Sequence, residues 1–576
     1  MFTLRYYTAS LILLSFLLVS PWTFANLDRQ QIDQLIDYFE TRPVTGFDQF
    51  LDQLSGSAVI TPETAGVATA YRNDENLNEA QSVELYRLLG IYTRLRYGDE
   101  ALETLRQLVA VPTYQDENIP QHDNPQFHRF AAILTTLAND FGLSFRNIDE
   151  RVYEITLAGD SEELVGFHAH ADVVPVNPAL WILEDGTQLD PLEVTRIGDR
   201  LYGRGTEDDK NGIVVSLYAM RVIQEENLGL LRTLRLLVDT TEETTGEAIP
   251  YYFEENPVPA YNIALDGSYP VVIAEKGFGT VMASFPVRRG SGEGAEIINL
   301  TGGLATNQIP AAATATILSA QPQQLAATLE EAGQLYRAAN GANFAIQARA
   351  ESDRVLLIVQ GVSAHSSEPQ SGVNPVSRLL DFLHRMDAQQ LFKHNHITDI
   401  AHYAAVNWGL DYLGNTLGIA YSDPFMGPLT TAVTFIGDGE RVLRLAVNLR
   451  LPAGKEPAEL LQQIESRLLA WSEANGIDVS FDLSAAEPMH RNPEGAWVNA
   501  LLDIATETLD MPREFGTSAG ATSIHDLPNG VQFGLAMPDQ KYTGHNANEF
   551  KRIDQFLLDL QIVTEAMATL GRMPAL

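Results

Sequence analysis

The residues able to do chemistry sit in short polar segments at the ends of apolar runs. His168, His170 and Asp172 occupy alternate positions between Gly166 and Pro175. Alternate residues of a strand share a face, so all three point the same way. A carboxylate two residues beyond a histidine can fix its tautomer beside a metal ion. Asp208 and Asp209 follow the glycine-containing segment from Leu201, at the expected start of a helix. Glu242 and Glu243 follow an apolar run that ends in Val238. Adjacent carboxylates beyond a buried strand are costly unless a cation is near. Such a pair can divide labour, one binding metal and one moving protons. Asp266 follows the apolar Ile263-Ala-Leu. His365 and His545 each stand beside small residues in segments that read as loops. Taken singly, these residues read equally well as sheet-end polar groups, helix caps or loop residues. Taken together, the segments before Asp172, Asp208, Glu243 and Asp266 bring His and carboxylates to one crevice. Ligand sites in open α/β sheets lie at the carboxyl ends of the strands.

The elements that must position these residues follow from periodicity. Residues 27 to 110 are rich in helical patterning, with helices expected over 82 to 95 and 98 to 108. A further helix is expected over 125 to 143. Strands over 152 to 157, 164 to 168, 233 to 239 and 261 to 265 alternate with helices over 210 to 226 and 249 to 255. This alternation predicts an α/β unit with a mostly parallel sheet flanked by helices. Residues 278 to 487 change character, with strands over 354 to 360 and 442 to 449 and helices over 322 to 339 and 456 to 475. They are expected to form a separate α+β domain. The α/β character returns over 488 to 576, with helices at 497 to 509 and 554 to 570. Residues 26 to 277 and 488 to 576 are therefore expected to build one domain around the insertion, with 27 to 80 as an extra helical layer.

The chain of 576 residues is long enough for more than one core. Its first 25 residues read as a signal peptide: Arg5, the apolar run Leu11 to Val19, then Thr23-Phe24-Ala25 as a cleavage site after Ala25. No other segment could span a bilayer, so the expectation is an exported protein, periplasmic or secreted, with no membrane association after cleavage. There is no cysteine, so any metal must be held by His and carboxylates. The net charge of −37 repels nucleic acid and anionic membranes. The sequence sets no oligomeric state.

With these segments in order, the chain resembles the dizinc aminoacylase, carboxypeptidase and dipeptidase metallopeptidases, and within them the PepV-like bacterial dipeptidases. The resemblance runs from about residue 80 to the C-terminus. It rests on His170-Ala-Asp-Val-Val-Pro175, Gly203-Arg-Gly-Thr-Glu-Asp-Asp-Lys210 and Glu242-Glu243. It continues with Asp266 and Glu275-Lys-Gly277, Gly302-Gly-Leu-Ala-Thr-Asn-Gln-Ile-Pro310, Leu413-Gly-Asn-Thr-Leu-Gly-Ile-Ala420 and Gly427-Pro-Leu-Thr430.

The resemblance implies a two-zinc site, with manganese or cobalt as alternatives. His170 and Asp266 would hold one ion and Glu243 and His545 the other, with Asp208 bridging. Asp172 would orient His170, and Glu242 would be the general base for a metal-bridging hydroxide. His365 would bind the substrate's carbonyl oxygen, Arg450 its C-terminal carboxylate, and Asn307 and Gly520 would help hold it. The middle domain would be a lid that closes over a small peptide. Ala169, Asn211, Asn548-Glu549 and Thr241 depart from the usual pattern without removing a ligand or the base. His168 is extra and reads as structural or as a support to His170. The expected function is hydrolysis of dipeptides. Alternatives are an N-acyl amino acid deacylase or carboxypeptidase of the same family, or a catalytically silent periplasmic binding protein.

Overall fold

The computed structural model describes residues 27–576 apart from 117, 304, 305, 342 and 440. The expected signal peptide, residues 1–25, lies outside the described residues.

The chain starts with three helices, α1 (Arg29–Phe39), α2 (Phe47–Ser55) and α3 (Pro62–Arg72), laid against the long helix α4 (Glu79–Val109). Asp28 and Asn78 start α1 and α4 with capping boxes to Gln31 and Gln81. Phe47 and Phe50 pack on Tyr92 of α4, with ring centroids 5.2 and 5.8 Å apart. Two helices were expected where α4 runs unbroken for 31 residues. Its internal glycines have a packing role: a Cβ on Gly90 would lie 2.5 Å from the carbonyl oxygen of Gln561, and one on Gly98 2.6 Å from Leu557 Cδ2. Gln561 belongs to the last helix of the chain, which crosses α4 there.

After α5 (Pro125–Asp140), six strands enter a nine-stranded sheet. They are β1 (Ser144–Ile148), β2 (Val152–Leu157), β3 (Leu164–His170), β4 (Thr233–Asp239), β5 (Tyr261–Ala264) and β6 (Val272–Glu275). The helices α6 (Lys210–Glu225) and α7 (Ala248–Glu255) lie in the connections. The remaining strands, Met489–His490, Gly516–Ser518 and Gly530–Gln532, come from the C-terminal part of the chain. The order is β1-β2-β4-β3-β5, then Gly530–Gln532, β6 and Met489–His490. The centre is parallel, with β3 between β4 and β5, and antiparallel strands stand on both sides. The expected parallel sheet is therefore the central part of a mixed one.

Between Glu275 and Met489 the chain builds a second, eight-stranded sheet. Its strands are β7 (Gly277–Pro286), β8 (Glu296–Gly302), β9 (Ala312–Leu318), β10 (Ala345–Ala350), β11 (Arg354–Gln360), β12 (Thr430–Gly439), β13 (Val442–Leu451) and β14 (Ser480–Ala485). The order is β10-β11-β9-β8-β12-β13-β7-β14, antiparallel throughout. Buried residues alternate along β7, β9 and β11, so one face is covered. It is covered by α8 (Pro322–Asn340), α9 (Pro375–Asp387), α10 (His396–Asn407) and α11 (Pro457–Asn475). Its apolar core, from Val281 to Leu468, is separate from the core shared by the N-terminal helices, the first sheet and the last two helices, α12 (Ala496–Leu509) and α13 (Ile553–Arg572). The fold is thus an α/β unit with an inserted α+β lid. No helix among the described residues is long and apolar enough to cross a membrane.

Candidate metal centre and active site

The three central parallel strands end at one place. His170 is the last residue of β3 and pairs with Asp239, the last residue of β4. Glu242 and Glu243 follow in the next turn. His168 pairs with Ala264 at the end of β5, and Asp266 lies just beyond. Asp208 comes from the loop that leads into α6, and a cis peptide bond joins it to Asp209.

Asp208 stands between the two histidines. Its Oδ1 is 2.9 Å from His170 Nε2 and its Oδ2 is 3.0 Å from His545 Nε2. His545 Nε2 also lies 2.6 Å from Glu243 Oε1, and His170 Nε2 lies 3.8 Å from Asp266 Oδ2. Two sets of ligand atoms, each within 4.8 Å of one another, result: His170, Glu242 and Asp266, and His170, Asp208 and Glu243. Burial raises the pKa of Glu242, Glu243 and Asp266, and neighbouring carboxylates push the same way. Asp208 is more deeply buried than these three, but hydrogen bonds from His170 and His545 outweigh burial and hold it well below the usual carboxylate range. Five acids around two imidazoles, counting Asp172, form a site whose missing positive charge a divalent cation would supply. The donors are oxygen and imidazole nitrogen, a set that suits zinc, manganese or cobalt.

Asp172 differs from expectation in one respect. Its carboxylate lies 3.6 Å from His170 Nδ1, beyond a hydrogen bond. The contact to Nδ1 comes from its backbone carbonyl, at 2.9 Å. The strand ends at His170, so Asp172 no longer follows the alternation of β3. Its carboxylate instead accepts the amides of Glu242 and Glu243, at 3.2 and 3.0 Å. It therefore fixes the backbone of the glutamate pair. His168 has a structural place, with Nε2 2.9 Å from Asn262 Oδ1.

The lid reaches this centre. The ring of His365 lies 6.4 Å from that of His545, and its Nδ1 is held by Ser367 Oγ at 2.6 Å. Short pairing of Gln308-Ile309 with Ala364-His365 supports the loop. Asn307 sits beside it, exposed, with its carbonyl accepting the amide of Ser366 at 2.9 Å. Arg450 is buried near the end of β13 and donates to Asn448 Oδ1 at 3.1 Å and Ser366 Oγ at 3.4 Å. No carboxylate among the described residues pairs with it, and burial pushes it down to about 10. Gly520 lies in a half-buried loop, its amide on Ser518 Oγ at 3.0 Å. Among the described residues, no hydrogen bond ties it to the metal-binding residues.

The groups that hold the ligand loops have no role that the sequence alone assigns. Glu549 is fully buried and accepts the amides of Gly205, Glu207 and Asp208, at 3.0, 2.9 and 3.2 Å. It also pairs with Arg204. Asp209 Oδ2 accepts the His170 amide at 3.3 Å. Tyr542 places its hydroxyl 2.5 Å from Asp208 Oδ2. No spacing rule links residues more than 300 positions apart, although an acid so close after His545 was a signal.

Carboxylates and imidazoles at the ends of central strands, beneath an inserted lid, define a metal-dependent hydrolase. Residues 166–569 match the family described as Peptidase family M20/M25/M40, and the chain belongs to that family as a peptide-bond hydrolase. It is 26% identical over 484 residues to the Beta-Ala-Xaa dipeptidase of Lactobacillus delbrueckii subsp. lactis, covering 82% of this chain and 96% of that one. Human carnosine dipeptidase 1 has a similar fold, with a TM-score of 0.51 at 13% identity, covering 85% of this chain and 99% of that one. The yeast di-peptidase Dug1p, from Saccharomyces cerevisiae, aligns with a TM-score of 0.50 at 11% identity over 85% of this chain and 99% of its own.

Proposed function

We propose that this protein hydrolyses dipeptides that carry a free C-terminal carboxylate, at a centre holding two divalent cations, zinc in the first instance. The observation that carries the reading is Arg450: a buried guanidinium with no carboxylate partner among the described residues, tied through Ser366 to the loop that brings His365 over the metal ligands. A planar guanidinium matches a carboxylate in a bidentate pair, so the site is complementary to a peptide's C-terminus. The Beta-Ala-Xaa dipeptidase relative supports a dipeptide as the substrate.

His170 and Asp266 would hold one ion and Glu243 and His545 the other, with Asp208 shared. When bound there, divalent cations would supply polarisation of the scissile carbonyl and a lowered pKa for the attacking water. Glu242, raised by burial, takes the proton from the attacking water and passes it to the leaving amine. His365 donates to the developing oxyanion through Nε2, since Ser367 engages Nδ1. Arg450 holds the carboxylate, which fixes the scissile bond between the lid and the ligand loops. We also infer export, from the expected signal peptide over residues 1–25.

The test is a panel of dipeptides, free, N-acetylated or C-terminally amidated, given to protein depleted of metal and then reloaded with zinc, manganese or cobalt. The reading expects cleavage of free dipeptides and loss of cleavage on amidation. Preference for N-acetylated substrates would turn it to a deacylase. Absence of hydrolysis with every metal would leave a binding protein.

A further inference from the structure

Tyr542 is an aromatic residue that is 44% exposed at the rim of the site, yet its hydroxyl reaches inward to Asp208 Oδ2 at 2.5 Å. The turn that carries it is shaped for this. A Cβ on Gly544 would lie 2.3 Å from the Tyr542 hydroxyl oxygen and 2.4 Å from Cζ, so only glycine lets the ring fold back over its own turn. Thr543 donates its amide to Glu207 Oε2 at 2.6 Å, which locks the turn onto the loop that carries Asp208. Three consecutive features of one turn thus converge on residues 207 and 208.

The three side-chain donors to Asp208 are not equivalent. Those from His170 and His545 come through the Nε2 atoms that would bind metal. An imidazole that binds a cation through Nε2 no longer has a proton there to donate. Tyr542 is not one of the imidazole or carboxylate ligands, and its phenol keeps its proton when the imidazoles take cations, so its hydroxyl is the donor that survives loading. Partners that orient a ligating carboxylate contribute to metal affinity as well as to geometry.

We propose that Tyr542 is a positioning residue of the metal centre, its hydroxyl fixing the orientation of the carboxylate shared between the two ions. The proposal rests on the two-cation reading above. Its test measures metal rather than hydrolysis. Zinc affinity is obtained by competition with a chromophoric chelator, and ligand geometry from the visible absorption of the cobalt-loaded protein. Tyr542→Phe keeps the ring and removes only the hydroxyl. It is expected to weaken zinc binding by roughly 10-fold or more, and to alter the cobalt bands, with unchanged unfolding of the metal-free protein. Gly544→Ala displaces the ring and is expected to alter the cobalt bands in the same direction. If Tyr542→Phe binds zinc as the unmodified protein does and gives the same cobalt spectrum, the proposal is overturned while the two-cation reading stands. If the unmodified protein binds no zinc or cobalt, that reading fails, and the proposal with it.

Discussion

The ring of His365 lies 6.4 Å from the ring of His545, although one belongs to the inserted lid and the other to the α/β unit. The lid is therefore closed over the metal ligands. In this position His365 is pushed down to about 3 by burial, and the positive charges of Arg450 and His545 act in the same direction. An imidazole released to solvent returns to its ordinary value near 6.5. The closed state thus binds fewer protons than the open state between these values. The His365 contribution to closure is complete above about pH 6.5 and is lost progressively as the pH falls towards 3. Its slope is at most about 1.4 kcal/mol per pH unit. Fluorescence energy transfer between dyes on the lid and the α/β unit should show opening between pH 7 and 5. His365→Gln should show a shallower response, and identical profiles would refute the mechanism.

Glu242 is the group whose two readings separate most cleanly. It shares one cluster with His170 and Asp266, and burial raises its pKa. As the proton carrier it is dispensable for metal binding. Glu242→Gln is then expected to retain the full metal content and lose about 10²–10⁴-fold in kcat. Elemental analysis decides the matter: loss of an ion on substitution would make Glu242 a ligand.

Arg450→Lys tests the carboxylate grip. Lysine keeps the charge but not the planar fork. The expected effect is a rise in KM for free dipeptides corresponding to about 1.5–3 kcal/mol, the usual range for a hydrogen bond to a charged group. Amidated dipeptides lack the carboxylate, so the substitution should make no difference to any residual cleavage of these poor substrates. A KM ratio near one for free dipeptides would remove Arg450 from substrate binding.

Much of the site was legible because it lies at strand ends. His170, Glu243 and Asp266 each follow a strand, and a parallel sheet brings such ends together whatever the loop lengths, while Asp208 was legible from the glycine-containing loop before a helix. His545 needed the family resemblance, because its loop has no periodicity. It adopts a left-handed φ of 64°, a conformation that a sequence pattern does not reveal. Asp172 was read by extending the strand alternation two residues past the true end of β3. The second of the two helices expected within α4 was to begin at Gly98, which instead packs against Leu557 of the last helix inside an unbroken α4. A glycine pressed against a neighbouring helix and a glycine that ends a helix look alike until the neighbour is placed. Tyr542 and Glu549 act on residues that are remote in the chain, and such contacts have no local signature.

Glu549 makes the most demanding prediction about stability. It is fully buried, and burial pushes it up to about 7 although Arg204 opposes the shift. One carboxylate oxygen accepts three amides from the loop that carries Asp208, and the other pairs with Arg204. Glu549→Ala would leave Arg204 as an unpaired buried charge and the three amides without their acceptor. Breaking such a buried pair from one side costs about 3–5 kcal/mol. Glu549→Gln keeps the acceptor oxygen and removes the charge, so it should recover part of that loss. Thermal unfolding of the metal-free protein should rank unmodified, Gln and Ala in falling order. Zinc affinity should follow the same order, because the loop held by Glu549 carries the shared ligand. Equal zinc affinity in all three, with the stability loss intact, would show that Glu549 supports the fold without aiming Asp208.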